Sequence, residues 1–194
     1  MHVMDEAAPA TASGAPGVRL IVSSNMPPPD TGEFSKLDLA LSQRRLERLL
    51  AAAECGFRLA LGLTLLSAVG DRFGFWGPNG SPNVSWGDWG HFVHYCAAVN
   101  GFLPAALAIP LAWLATGLET AFGAGLISGV FLRTSAYGSA VLLGMFAMAM
   151  TISFGIKSPL NFSVFVDAAG ALLLALLVEY RRRVITAAPV SGRT

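Results

Sequence analysis

The sequence has little charge, few cysteines and few histidines. Only 13% of its 194 residues are charged, the net charge is +1, and it contains two cysteines and three histidines. A net charge this small gives no basic surface for nucleic acid, and two cysteines cannot build a disulfide framework. The sequence also has no phosphate loop, dinucleotide fingerprint, CxxCH haem-attachment motif or nucleophile elbow. We therefore expect neither a nucleic-acid-binding protein nor a small disulfide-rich secreted protein.

Hydrophobic residues make up 54% of the sequence, concentrated in four long stretches. A soluble domain carries about 25% charged residues, so this composition is typical of a chain solvated largely by lipid. A helix needs about 20 apolar residues to cross a bilayer, and these stretches lack the alternation of β-barrel strands. We predict an all-α integral membrane protein, a four-transmembrane-helix bundle with spans at about 49–70, 103–132, 135–156 and 162–178.

The two ends of the chain differ from this membrane domain, residues 49–180. Residues 1–36 are rich in Ala, Pro, Ser and Gly and have no periodic apolar face, which predicts a disordered cytoplasmic tail. Residues 37–50 place leucines mostly on one helical side with arginines beside them, which is typical of an amphipathic helix on an anionic membrane surface. Residues 181–194 form a basic cytoplasmic tail.

The lysines and arginines beside the spans indicate the orientation, because positive residues stay on the cytoplasmic side. Only Arg72 and Lys157 lie at one side, and seven arginines lie at the other. We therefore predict a multi-pass protein with both termini in the cytoplasm and an outer loop at residues 71–102. The seven cytoplasmic arginines are Arg44, Arg45, Arg48, Arg133, Arg181, Arg182 and Arg183.

The outer loop contains three of the four tryptophans and a second predicted helix. Asp88 can cap a helix over Trp89–Val99, and Asn100 and Gly101 would end it. His91 and His94 lie in this helix, but two histidines with Asp88 are more typical of interfacial residues than of a closed metal site. We predict no metal, and no haem held between histidines of two spans.

Ionisable residues inside the apolar stretches are costly and need a partner or a function. At 1.5 Å per residue, Arg58 in the first span and Glu119 in the second lie at similar depths, so we expect them to pair across antiparallel helices. Three interpretations stay open: a pair that fastens two helices, a polar pocket for a quinone headgroup, a proton or a small substrate, or two lipid-facing residues that each extend to the membrane surface independently. In the second, Arg58 donates a hydrogen bond to the quinone and Glu119 accepts a proton. Arg58 and Glu119 are therefore the candidate catalytic and cofactor-binding residues.

Asp167 is a third candidate, near the start of the fourth span. It lies at nearly the level of Arg72 and Lys157, and a salt bridge with either would neutralise it at the outer rim. The alternative is an entry site on the outer face that is coupled through the bundle to Glu119. We therefore include Asp167 among the candidate cofactor-binding residues.

A set of residues recurs through the four apolar stretches: Arg58 with Gly62, Glu119 with Gly123, the Gly129–Arg133 end of the second span, the Met-rich third span, and Asp167 with Gly170. In these residues, and over about Arg48–Tyr180, the chain resembles the DoxX-like family of small four-helix membrane proteins, which includes DoxD-type subunits of thiosulfate:quinone oxidoreductases. The resemblance implies a protein of the bacterial inner membrane, often linked to quinones and to redox or sulfur metabolism.

With this resemblance we predict a membrane subunit of a quinone-linked redox system, in which sulfur oxidation is one candidate reaction. Quinone is the expected cofactor, and the expected partners are the bilayer, a redox partner subunit and a second copy of the chain. Two alternatives stay open. A small proton- or ion-coupled transporter would use Glu119 and Asp167 as proton or cation sites. A non-catalytic scaffold would hold a partner protein through the glycine-rich second span and the aromatic outer loop.

Overall fold

The computed structural model describes residues 31–187, with side chains for residues 35–184, and these residues form helices and no strands. The all-α class predicted from the sequence is confirmed for this part of the chain. A 3-10 turn at Ala105–Leu107 leads into the third helix. The helices are α1 (Thr31–Arg72), α2 (Trp89–Val99), α3 (Ala108–Ser128), α4 (Leu132–Phe154), α5 (Lys157–Asn161) and α6 (Val164–Ala187).

Two of the predicted segment boundaries differ from the structure. The sequence predicts a disordered tail through residue 36, but α1 begins at Thr31. The proline-rich stretch, which disfavours helix, ends at Pro29, so the residues after it are free to become helical. Residues 181–187, predicted as a tail, continue α6. The rest of both predicted tails, residues 1–30 and 188–194, lies outside the described residues.

Within the described residues, three helical segments are long and apolar enough to cross a membrane: Ser35–Arg72, Ala105–Ser128 and Leu132–Phe154. They correspond to the first three predicted spans. α6 has sufficient length, but it also carries Asp167, Glu179 and three consecutive arginines, and this charge explains why it is not among them. Membrane insertion, the fourth crossing and the orientation stay predictions.

The described residues divide into two units, on either side of a boundary between Arg44 and Arg45. In the first unit, the described residues belong to the N-terminal part of α1. The second unit has a core of small and branched apolar side chains from α1, α3, α4 and α6. Within it, α4 packs along α6 and also against α3. The buried members of this core are Leu61, Leu65, Leu126, Ala136, Leu143, Ala171, Leu174 and Ala175.

Glycines allow α1 and α3 to approach closely. A methyl group on Gly62 would lie 3.0 Å from the carbonyl oxygen of Gly123, and one on Gly123 would lie 3.1 Å from that of Gly62. Small residues of this kind let helix backbones touch, which is the usual device for packing helices in lipid. This crossing brings the face of α3 that carries Gly123 and Glu119 against α1.

Candidate functional site

Glu119 forms a buried ion pair, but its partner is Arg72 and not Arg58. Arg72 Nη2 donates to Oε1 and Oε2 of Glu119 at 2.8 and 2.6 Å, and Arg72 Nη1 donates to Thr116 Oγ1 at 2.8 Å. Only 3% of the Arg72 side chain and 2% of the Glu119 side chain are exposed. The predicted Arg58–Glu119 pair is therefore wrong, and Glu119 belongs to a site at the end of α1.

The predicted depth of Arg58 is wrong because the first helix does not begin at residue 49, the predicted start of the first span. The depth of Arg58 is counted from that position, whereas α1 runs without a break from Thr31 to Arg72. Arg58 instead lies level with Gly129, at the C-terminal end of α3. Glu119 is ten residues before Gly129, or about 15 Å along the helix. Arg72 is the basic residue of the last turn of α1, and that turn lies beside Glu119.

Aromatic side chains close over the Arg72–Glu119 pair. The guanidinium carbon of Arg72 lies 3.8 Å from the ring centroid of Phe92 and 5.3 Å from that of Trp86, which are cation–π distances. Phe92 is buried and packs against Ala112 of α3. α1, α2 and α3 therefore meet at one desolvated ion pair, in which Arg72 contacts a carboxylate, a hydroxyl and two rings.

Asp71, the residue before Arg72, holds the outer loop. Its carboxylate accepts hydrogen bonds from the backbone N–H groups of Ser85, Trp86 and Gly87 at 2.8, 3.3 and 3.3 Å. Asp71 is buried, and hydrogen bonds to an ionised acceptor are among the stronger ones. The C-terminal end of α1 therefore binds both α3, through Arg72, and the loop that follows α1, through Asp71. We call residues 73–99, which are held in this way and lie outside the membrane in the predicted orientation, the outer cap.

The helix predicted within the outer cap is confirmed. α2 covers Trp89–Val99, Asp88 is its N-cap and Asn100 its C-cap. Asp88 Oδ1 accepts from the backbone N–H of His91 at 2.9 Å, and Oδ2 lies 2.7 Å from Nδ1 of His91. These two hydrogen bonds lower the pKa of Asp88, so the carboxyl group of this N-cap residue is ionised at neutral pH.

Among the described residues, no group of three or more His, Cys, Asp or Glu side chains could hold a metal ion.

Cys96 of α2 is buried beside the Arg72–Glu119 pair, and its environment predicts low reactivity. Burial raises the pKa of its thiol from 9.0 to about 11, and only the thiolate is nucleophilic. With Cys55 replaced by alanine, we expect maleimide labelling of Cys96 at pH 8 to be about 100-fold slower than that of an exposed thiol, since each pKa unit changes the thiolate fraction tenfold. The rate should rise with pH until about pH 11. Mass spectrometry of the labelled chain checks this, and labelling at the rate of an exposed thiol would show that Cys96 is not buried.

Arg58 lies at the other end of α3, against Gly129. Gly129 ends α3 with a φ of 75°, and a methyl group on it would lie 2.9 Å from Arg58 Nη1. The partial negative charge at a helix C-terminus favours a cation there, which explains how this half-buried arginine is tolerated without a carboxylate. Its Nε is buried and has no hydrogen-bond partner among the described residues. Arg58 therefore has a donor without an acceptor, as Arg72 also has at its Nε, but Arg58 has no carboxylate partner among the described residues.

Asp167 is half-buried in the first turn of α6, where the helix dipole favours a carboxylate. The predicted salt bridge at the rim is wrong, because Arg72 is held by Glu119 and the described residues show no ion pair between Asp167 and Lys157. Sequence reasoning thus placed Arg72 with the wrong carboxylate. The sequence does contain a feature that distinguishes Arg72, because it is one of only two basic residues at the predicted outer ends of the spans.

Ion pairs near the predicted cytoplasmic ends connect other helices. Arg181 of α6 lies 2.6 Å from Glu54 of α1, and Glu179 of α6 lies 3.0 Å from both Arg133 and Arg183. These pairs join α6 to α1 and to α4. Since their side chains are more exposed than Arg72 and Glu119, they add less to stability.

The three candidate residues do not form one site. Glu119 has both carboxylate oxygens engaged by Arg72, so it cannot accept a proton from a ligand unless that pair opens. Arg58 and Asp167 are each without an ion pair among the described residues. The geometry therefore shows a structural ion pair at Glu119 and a donor without an acceptor at Arg58.

Comparison with known proteins does not assign this chain to a family, because no family model, no curated protein and no solved structure matches it.

Proposed function

We propose that this chain is a membrane subunit of a quinone-linked redox system, of the DoxX-like kind that its sequence resembles. The observation that carries the proposal is the Nε of Arg58, a buried donor without an acceptor among the described residues. A buried polar group left unpaired costs about 1–3 kcal/mol. A quinone carbonyl oxygen would accept the hydrogen bond that Arg58 leaves unused, so the residue fits such a ligand.

The proposal is a subunit and not a complete enzyme, because Glu119 is already engaged. Arg58 would orient the quinone, which when bound supplies the capacity to accept electrons and protons. Glu119 is about 15 Å from the level of Arg58 and is sealed by Arg72 and Phe92, so it supplies no proton acceptor there. The electrons would come from a partner subunit, for which the resemblance to thiosulfate:quinone oxidoreductases offers the model.

The first test measures the lipid-soluble content of the gently purified protein by mass spectrometry. We expect the unmodified chain to retain a stoichiometric amount of quinone and Arg58→Ala to lose it, because the variant removes the donor. Arg48→Ala is the matched control, since Arg48 is exposed on the same helix, and it should retain the quinone. Absence of quinone from the unmodified chain, or equal loss in both variants, would contradict the proposal.

The same preparation distinguishes the other two functions. A scaffold is favoured by the exposed rings of the outer cap, where Phe75 and Trp76 are 81% and 62% exposed; it would co-purify with a partner protein and hold no quinone. A transporter is favoured by Asp167, a carboxylate without an ion pair among the described residues. It would produce flux in proteoliposomes, and Asp167→Asn would abolish that flux.

A further inference from the structure

A groove of about 810 Å³ opens on the surface of the second unit, lined by α3, α4 and α6. Most of its length is apolar and is lined by Phe122, Val141 and Met145, while one end is lined by Arg133 and Arg182. Residues 132 and 145, which lie near its two ends, are about 20 Å apart along α4. One leaflet of the hydrocarbon core is about 15 Å thick. The groove therefore has the length and the polarity gradient of a single lipid chain below its headgroup.

A glycine shapes the floor of the groove. A methyl group on Gly138 of α4 would overlap the ring of Phe122 of α3. Because residue 138 has no side chain, the far edge of this ring can approach the backbone of α4. The groove is thus a consequence of the way α3 and α4 pack.

The charged end of the groove has unused donors. Arg133 Nε lies 3.0 Å from Glu179 Oε2, its side chain is 49% exposed, and its two Nη groups make no hydrogen bond to the described residues. Glu179 is shared with Arg183, so one carboxylate faces two guanidinium groups. Thr134, whose hydroxyl can also donate, lines the same end. Guanidinium donors match the geometry of phosphate and carboxylate groups, and a phosphate is the one that every phospholipid headgroup supplies.

We propose that this groove binds an anionic phospholipid of the cytoplasmic leaflet. The phosphate lies at Arg133 and Thr134, and an acyl chain lies along Val141 and Met145. The predicted orientation places Arg133 on the cytoplasmic side, where basic pockets between membrane helices recognise anionic headgroups. This inference does not depend on the quinone, since Arg58 does not line the groove.

The test is native mass spectrometry of the full chain in micelles that contain phosphatidylglycerol and phosphatidylcholine with identical acyl chains. We expect preferential retention of phosphatidylglycerol. Arg133→Gln should weaken this retention about fivefold, which corresponds to about 1 kcal/mol for one arginine near an anionic headgroup. Arg183→Gln is the matched control, because Arg183 also pairs with Glu179 but does not line the groove; it should leave retention unchanged.

A second pair of variants tests the acyl part. Met145→Trp fills the groove and should displace the bound lipid, whereas Met148→Trp, at an exposed methionine of the same helix outside the groove, should not. Equal retention of the two lipids by the unmodified chain would overturn the proposal, as would equal losses in Arg133→Gln and Arg183→Gln. Circular dichroism shows whether each variant folds, and if Met145→Trp does not, the arginine pair decides.

Discussion

Replacing Glu119 with glutamine should lower the free energy of unfolding by about 3–5 kcal/mol, because it leaves the Arg72 guanidinium buried and charged without a counter-ion. Glutamine has nearly the same shape as glutamate, so packing around Thr116 and Phe92 stays comparable and the charge is the main change. The loss should appear as a lower midpoint of thermal unfolding in detergent, followed by tryptophan fluorescence. Trp86 is a suitable reporter because it lies beside Arg72.

Two further variants test whether the loss of stability comes from the unpaired charge and from its burial. Arg72→Met combined with Glu119→Met removes both charges and should regain most of the stability, since a buried ion pair replaced by apolar side chains is often neutral or better. Glu54→Gln breaks the more exposed pair with Arg181 and should cost much less, because solvent screens that pair. A Glu119→Gln variant as stable as the unmodified chain would refute the structural role and return Glu119 to the candidate proton acceptors.

Local patterns in the sequence predict the helices of this chain well. Asp88 followed by an apolar stretch and then by Asn100 and Gly101 predicts α2, and the structure places the helix and both caps there. The capping hydrogen bond joins residues three apart, so nothing distant in the chain is needed to form it. The three long apolar stretches are recognised in the same way, since length and composition alone decide whether a helix can cross a bilayer.

The pairing of Glu119 depends on distant parts of the chain and could not be predicted. Which arginine reaches it depends on the level at which α1 crosses α3, and that level follows from the contact between Gly62 and Gly123. Counting residues from the start of a span gives no such register when the helix begins far outside the membrane domain, as α1 does. The contact between Arg72 and Phe92 further requires the outer cap to fold back, which no spacing along the sequence indicates.

The outer cap itself should be disrupted by Gly87→Ala. Gly87 has a φ of 72°, a conformation that costs other residues about 1–2 kcal/mol, and a methyl group there would overlap backbone atoms of Pro78 and Asn79. A backbone cannot rotate away as a side chain can, so the overlap must separate the two loop segments, one at Pro78 and Asn79 and the other at Gly87, that meet at this point. We expect a total loss of about 3–5 kcal/mol from overlap and strain together. The near-ultraviolet circular dichroism of the packed tryptophans should weaken, and protease cleavage between residues 73 and 88 should increase.

Gly80→Ala supplies the matched control, because it isolates the backbone conformation from the overlap. Gly80 also has a positive φ, 88°, but nothing lies within 4 Å of a methyl group placed on it. It should therefore show only the conformational cost and keep the tryptophan signal. Because the N–H of Gly87 also donates to Asp71, disruption at Gly87 should reach the end of α1 and expose Arg72. If the two variants were equally stable, the contact of Gly87 with Pro78 and Asn79 would not hold the outer cap together, and its attachment would rest on Asp71 and Arg72 alone.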